Sequence, residues 1–347
     1  MTEILPTDNR DLLEQAVTRA SELLHAGEVV ALPTETVYGL AADATSEDAL
    51  NRIFEAKGRP NTDPLIVHLP KRDMLHEVAA VPEEIAEAVE TLTKKLWPGP
   101  LTLVLPKRNI IPDLATAGLP TVALRMSSNL VFKRVIRTFG KPLAAPSANR
   151  FGQITPTSAS AVQEELGGRI PLILDDGGSH FGIESTIVRV EVGKKPHKPD
   201  LHVLRPGALT KDDLRPYGRV IYDHASQQVA KGEVAEAPGT MESHYSPQTP
   251  LRVLENPESF EPEPGKTYAL LSYRASPKEG CIDLHEWDEI VVLSPGSGKL
   301  PEAGVRFYFA LRQADALGVD EIIAEPIPDR GMGTALIDRL RRAASGH

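Results

Sequence analysis

The 347-residue chain has a single cysteine, Cys281. It can therefore build neither an internal disulfide framework nor a cysteine-based zinc site. That scarcity fits a reducing or thiol-indifferent compartment. Aromatic side chains are also few, at 5% of residues. No stretch approaches the ~18 continuous apolar residues of a membrane span. Glu3 and Pro6 stand where a secretory leader needs basic residues and then an apolar run. The expected location is cytoplasmic, with no membrane partner. Positive charge is scarce: 38 Lys and Arg stand against 48 Asp and Glu, a net charge of −10. A chain this acidic is not a general nucleic-acid coat, because phosphate binding needs clustered cations.

Several familiar motifs are missing too. No repeat of 20–50 residues is visible, which excludes solenoids and propellers. Gly296-Ser297-Gly298-Lys299 is followed by Leu300 rather than Ser or Thr and lacks the upstream glycine of a phosphate loop. Gly331-Met332-Gly333 has Leu336 where a dinucleotide fingerprint needs Gly or Ala, and reads as a tight turn. There is no Gly-x-Ser-x-Gly elbow. The ten histidines do not cluster at ligand spacing, so no metal is expected to be held by protein alone.

What is present is a globular composition, 41% hydrophobic and 25% charged. The length sets an expectation of two domains. Charge is distributed unevenly. Residues 1–90 sum to −11, residues 91–150 to +9, residues 151–250 to −3 and residues 251–347 to −5. The block at +9 holds ten cations and only Asp113 against them. It is either a solvated basic face or a local anion-attracting region.

Residues 10–26 place Leu12, Leu13, Ala16, Val17, Ala20, Leu23 and Leu24 on one helical stripe that ends at Gly27. Val29 to Leu32 reads as a buried strand. Ser46 caps a helix running to about Ala56. Further strands are expected at 65–67, 101–105, 122–124, 172–174 and 186–190, and helices at 83–96, 129–139 and 158–166. This alternation predicts a mixed α/β domain over 1–210. Residues 211–250 are rich in breakers and read as a linker. Residues 251–347 read as a smaller α/β domain with a Rossmann-like parallel sheet, its strands at 251–254, 268–271, 290–293 and 321–324.

Four segments carry polar groups in unusual concentration. Pro33-Thr34-Glu35-Thr36-Val37-Tyr38-Gly39-Leu40 packs hydroxyls and a carboxylate into one turn after a strand. Lys57-Gly58-Arg59-Pro60 offers two cations around a helix end. They serve equally as a phosphate fork or as charge complementing the helix C-terminus. Ala145-Pro146-Ser147-Ala148-Asn149 and Glu184-Ser185-Thr186 place hydroxyl and amide groups beside strands, where they bond either a ligand or a turn.

With Pro64-Leu65-Ile66-Val67-His68, Trp97-Pro98-Gly99-Pro100-Leu101-Thr102 and Leu204-Arg205-Pro206-Gly207, these segments resemble the YrdC-like family in order and spacing, across 175 residues. Pro238-Gly239-Thr240-Met241, His244-Tyr245-Ser246-Pro247 and residues 331–344 extend the resemblance to that family's long, two-domain form.

The resemblance implies a twisted α/β sheet around a large cationic cavity. It also implies synthesis of threonylcarbamoyl-adenylate and pyrophosphate from L-threonine, bicarbonate or CO2, and ATP with Mg2+, for threonylcarbamoyladenosine modification of tRNA. Downstream partners would be tRNA or tRNA-modification enzymes. Carried over by position, Thr36, His68, Arg125 and Ser185 would hold threonine, with Arg125 facing its carboxylate. Arg59, Asp63, Thr121, Ser147, Thr155, Arg205 and Tyr245 would contact ATP, with Lys57 and Asn149 completing the Lys-x-Arg and Ser-x-Asn pairs. The family often has Asn where Asp63 stands, and Met-Pro-x-His where this chain has Met126-Ser127-Ser128-Asn129.

The implied chemistry, carbamate attack on the α-phosphorus of ATP, needs anions held close rather than a protein nucleophile. Lys57 and Arg59 are the expected electrostatic core, and the 211–250 linker around Tyr245 the expected lid. Two alternatives are a double-stranded RNA or tRNA-binding module and a carbamoyl-adenylate enzyme with another acceptor. Salt-dependent RNA affinity without threonine-dependent pyrophosphate release would mark the first, and substrate testing the second.

Overall fold

The N-terminal stripe forms the first helix, α1 (Arg10–His25), capped by the Asn9 side chain on the Leu12 amide. It buries Ala16, Val17, Ala20 and Leu24 against α5 (Leu130–Phe139), whose Val131, Phe132, Val135 and Ile136 face it. A computed structural model describes all residues except 196–197, 223–236, 240–243, 257–259, 277–280 and 347.

Eleven strands form the large sheet: β1 (Glu3–Pro6), β2 (Val30–Leu32), β3 (Gly39–Asp43), β4 (Ile66–His68), β5 (Leu101–Pro106), β6 (Thr121–Arg125), β7 (Leu143–Ala144), β8 (Leu172–Asp175), β9 (Thr186–Lys195), β10 (Lys198–Arg205) and β11 (Arg219–Tyr222). Their order is β1-β8-β2-β3-β7-β4-β6-β5-β9-β10-β11. Parallel and antiparallel pairs alternate irregularly, so the sheet is mixed. One face is covered by α1 and α5. The other is covered chiefly by α2 (Glu47–Lys57) and α4 (Glu83–Leu96), through Leu50, Ile53, Val89 and Leu92. Between those two lies the short α3 (Leu75–Val78), and α6 (Ala159–Leu166) follows β7.

Five strands of the large sheet, β1, β3, β7, β10 and β11, lie outside the ranges expected from sequence. β3 was hidden in a segment read as a turn, because Gly39-Leu40-Ala41-Ala42-Asp43 is buried throughout and shows no alternation. Part of the expected linker is structured. α7 (Lys211–Leu214) has a reciprocal Thr210–Asp213 capping box, and β11 then pairs in parallel with β10. The rest of that linker falls partly outside the described residues, including Thr240 and Met241 of the quoted motif.

The second sheet is wholly parallel: β12 (Leu251–Val253), β13 (Tyr268–Ser272), β14 (Glu289–Val292) and β15 (Glu321–Ala324) in the order β12-β15-β13-β14. Two helices, α8 (Leu300–Asp315) and α9 (Gly333–Ala344), carry its core through Phe307, Leu311, Leu336 and Leu340. That core continues into the large unit, where Val37, Ile154, Ile183, Ala208 and Tyr245 pack against it. At the start of α8, the Glu302 carboxylate accepts hydrogen bonds from the Gly296 and Ser297 amides and from the Ser294 and Ser297 hydroxyls. These donors hold its carboxyl down at about 2.

The basic block of residues 91–150 does not fold into one surface. An α/β chain sends successive elements to opposite faces of the sheet. Lys107 pairs with Asp113, Arg134 with Glu14, Lys141 with Asp43 and Arg150 with Glu165, all in different places. Of the ten cations, Arg125 alone lines the cavity described next.

Candidate active site

Ends of the central strands and the loops that follow them converge on one cavity. The turn after β2 is fixed by the Thr34 hydroxyl, which donates to the Val37 carbonyl at 2.6 Å and accepts from the Thr36 and Val37 amides. This presents Thr36 inward. β4 and β6 run parallel with His68 paired to Arg125, so both side chains lie at one strand end. Arg205 closes β10 just before Pro206-Gly207. A Cβ on Gly207 would lie 2.4 Å from the Glu184 carbonyl, so the glycine lets that corner press onto the 184–186 segment.

Thr36, Arg59, His68, Arg125, Ser147, Ser185, Arg205 and Tyr245 line this cavity, with Thr34, Glu184, Pro238, Gly239 and His244 among their neighbours. The structure thus gathers eight of the thirteen side chains selected from sequence. The free volume left between them is about 50 Å3. Pro238, Gly239, His244 and Tyr245 account for this, since all four line the space.

The cavity's cations are each held by buried partners. Arg125 meets the Glu35 carboxylate at 2.8 Å and donates to the Gly99 carbonyl. Ser127 in turn donates to Glu35. Burial pushes Glu35 up, but Arg125 and the Ser127 hydroxyl outweigh it and bring the carboxyl down to about 2. Arg59 donates to the Asp63 and Pro64 carbonyls and meets the Asp63 carboxylate at 2.9 Å. Arg205 donates to the Ser185 carbonyl at 3.0 Å, to its hydroxyl at 3.2 Å and to the Pro238 carbonyl at 2.9 Å. Ser185 also contacts the Thr102 hydroxyl at 2.8 Å.

His68 is buried against Phe132, with ring centroids 4.6 Å apart and, among the described residues, no hydrogen-bond partner on Nδ1. Burial and the nearby Arg125 push its pKa down to about 3, so it is a neutral ring at pH 7. Burial, with Arg59 and Lys57, likewise pushes His244 well down. Tyr245 has a left-handed backbone, φ 66°, a conformation strained for an aromatic residue. Its hydroxyl is buried without a hydrogen-bond partner among the described residues, and burial raises it to about 12. Gly239 makes room for that hydroxyl: a Cβ there would sit 2.9 Å from it.

Five selected residues lie off the cavity wall. Lys57 is the main revision. Its ammonium donates to the Ser147 and Asn149 carbonyls, both at 2.5 Å, so it braces a loop instead of presenting charge to the cavity. Burial and the nearby Arg59 push its pKa well down. The Asn149 amide donates to the Arg150 and Gln153 carbonyls in the same loop. Asp63 stands behind Arg59, where burial raises its carboxyl against the pull of Arg59 and Lys57. Thr155 is buried and donates to Glu184. Thr121 begins β6, four residues from Arg125 and at the far end of that strand.

Sequence reasoning missed Glu35, Ser127 and Glu184 as parts of the site, although two of them lay inside quoted motifs. A carboxylate beside expected cations was the available signal. It gave Tyr308 and Arg339 no part in the site, for they come from helices with ordinary amphipathic patterns. Their side chains reach Glu184 from the C-terminal unit.

Comparison with known proteins agrees along the whole chain. Residues 22–207 match the family described as "Telomere recombination", and residues 209–345 match "Threonylcarbamoyl-AMP synthase, C-terminal domain". The threonylcarbamoyl-AMP synthase of Pyrococcus abyssi is 38% identical over 99% of this chain and 98% of that protein. The one from Bacillus subtilis is 38% identical over 98% of this chain and 96% of its own length. The crystal structure of P. abyssi Sua5 complexed with L-threonine superposes with a TM-score of 0.83 at 34% identity, covering 100% of this chain and 98% of that one. The α/β architecture, the site-bearing motifs and these similarities together place the chain in the threonylcarbamoyl-AMP synthase family.

Proposed function

We propose that this protein is a nucleotidyltransferase that joins L-threonine, CO2 or bicarbonate, and ATP into threonylcarbamoyl-AMP, releasing pyrophosphate. The observation that carries this reading is the convergence of Arg59, Arg125 and Arg205 on one cavity lined by the Thr36, Ser147 and Ser185 hydroxyls. The threonine amine adds CO2 and loses a proton to give a carbamate. A carbamate oxygen attacks the α-phosphorus, the bond to the β-phosphate oxygen breaks, and pyrophosphate leaves. The carbamate, ATP and pyrophosphate are all anions, so fixed cations lower the barrier by holding them together.

Arg125, braced by Glu35, faces the threonine carboxylate, and Thr36, Ser185 and neutral His68 complete that end. Arg59 and Arg205 face the phosphates, with Ser147 nearby. Lys57 and Asn149 shape the loop that presents Ser147. Among the described residues, no three His, Cys, Asp or Glu side chains gather as a metal site. Glu35, Asp63 and Glu184 already have cationic partners. Mg2+ is therefore read as entering on ATP, where it neutralises phosphate charge.

ATP cannot share a free volume of about 50 Å3 with Pro238, Gly239, His244 and Tyr245 in place. We read these four residues as part of a lid that withdraws for ATP and then covers the labile carbamate. The product, a reactive mixed anhydride, would pass to the machinery that modifies a tRNA adenosine. The scattered basic block supports this reading over an RNA-binding module, because five of its ten cations are already in ion pairs.

The test is pyrophosphate release from ATP, with threonine and bicarbonate each omitted in turn. Release that needs both is expected, and release indifferent to threonine would overturn the assignment.

A further inference from the structure

The Glu35–Arg125 pair is governed by Ser127, a residue that does not line the cavity. Glu35, Arg125 and Ser127 are 6%, 4% and 3% exposed, so their polar atoms depend on protein partners or on a ligand. Arg125 meets Oε1 of Glu35 through Nη2 at 2.8 Å and donates from Nε to the Gly99 carbonyl at 3.3 Å. Its third nitrogen, Nη1, has no protein partner among the described residues. The Ser127 hydroxyl donates to the other carboxylate oxygen, Oε2. A carboxylate and a guanidinium left to themselves commonly pair through two parallel bonds. Ser127 claims the second oxygen, and Glu35 grips Arg125 by the first alone.

Ser127 is itself held in that pose. The Asn129 amide donates to its oxygen at 3.2 Å, which leaves the hydroxyl proton for Glu35. Asn129 is fixed at both ends of its side-chain amide. Its Oδ1 accepts from the Phe132 amide at 2.9 Å and caps α5, while Nδ2 donates to Asp176 at 2.8 Å. Positions 127 and 129 are those at which the chain departs from the Met-Pro-x-His pattern. A proline at 127 carries no hydroxyl, so this hold on Glu35 belongs to the chain's own sequence.

We propose that Ser127 is a positioning residue for the amino-acid substrate: by keeping Glu35 on one terminal nitrogen of Arg125, it reserves the other, Nη1, for the substrate's carboxylate. The proposal rests on the reading above that Arg125 faces the threonine carboxylate. Without the hydroxyl, Glu35 Oε2 is free to turn onto the guanidinium and take the place that carboxylate needs. The loss falls on threonine and spares ATP, whose phosphates face Arg59 and Arg205. Ser127 never touches the substrate in this scheme and acts only through Glu35 and Arg125.

Ser127→Ala tests this in the full chain. Calorimetric affinity for L-threonine should fall about tenfold, the scale of one charge-assisted hydrogen bond. In pyrophosphate release the KM for threonine should rise by a similar factor, with kcat and the KM for ATP within about twofold. In a Glu35→Gln background, Ser127→Ala should change threonine affinity by less than about twofold, because the competing carboxylate is gone. Ser127→Cys nearly keeps the volume with a weaker donor. It should weaken threonine binding about threefold, and it carries the test if the alanine protein does not fold.

Unchanged threonine affinity, KM values for threonine and ATP that rise together, or a full effect in the Glu35→Gln background would each overturn the role of Ser127. Pyrophosphate release that ignores threonine would sink the functional reading, and calorimetry with L-threonine alone would still decide the role of Ser127. A wild-type protein that binds no L-threonine would overturn both.

Discussion

Replacing Glu35 with Gln probes whether the threonine end of the cavity is built on an ion pair. The substitution keeps size and one acceptor but removes the charge that faces Arg125. Glu35 is 6% exposed and Arg125 4%, so little water compensates. A carboxyl that falls from 4.5 to about 2 on folding stabilises the native state above its unfolded pKa. At pH 7 that contribution is about 3 kcal/mol. It shrinks to about 2 kcal/mol at pH 3.5 and vanishes only below the folded value.

The Gln protein should therefore be about 3 kcal/mol less stable than wild type at pH 7, with a gap narrowed by about 1 kcal/mol at pH 3.5. Removing one member of a buried pair leaves the other charge stranded, a loss of similar size. Trp97, buried in the large unit with its indole donating to the Leu101 carbonyl, reports unfolding there once Trp287 has been replaced by Phe. Urea titration of Trp97 fluorescence at the two pH values measures both gaps. Equal stability at pH 7, or a gap that does not narrow toward pH 3.5, would refute the ion-pair argument.

Other expectations follow from the same geometry. Arg59→Ala should lower pyrophosphate release by at least about 100-fold with an unchanged far-UV spectrum, since it removes a preorganised cation from the phosphate end. Arg125→Lys should raise the KM for threonine about tenfold while leaving the KM for ATP within about twofold, because lysine keeps the charge but loses the fork. Lys57→Met should act mainly on stability, by roughly 2 kcal/mol in urea titration, because two buried carbonyls lose their donor. The His68 ring, with its pKa lowered to about 3, should show no titration in NMR spectra between pH 5 and 8. A midpoint inside that range would contradict its burial beside Arg125.

The fold was largely legible because its elements obey simple periodicity. α1, α2, α4 and the four strands of the second sheet lie close to where apolar spacing and capping residues put them. β3 was not, since a strand buried on both faces lacks alternation and Gly39 beside Tyr38 imitates a turn. The site was legible in its residue types but less so in their orientation. Lys57 and Arg59 are two residues apart, yet one side chain turns to backbone carbonyls and the other lines the cavity. No sequence spacing encodes that choice, which depends on where the 147–149 loop comes to rest. Charge summed along the chain misled for a related reason. The cations of the cavity come from positions 59, 125 and 205, brought together by strand order rather than by sequence neighbourhood.

The Gly296-Ser297-Gly298 turn ahead of α8 has a further consequence. A glycine-rich loop at a helix start, beside a parallel sheet, is a common seat for a nucleotide's phosphates. Here Glu302, six residues on, already fills it with a carboxylate of the chain's own. A tethered anion competes at an effective concentration of millimolar or more, without ever being depleted. A free phosphate must outbid a ligand that never diffuses away. The C-terminal unit thus wears the outline of a nucleotide-binding fold with its cradle self-occupied, which leaves such a scaffold free to serve as masonry behind another unit's chemistry.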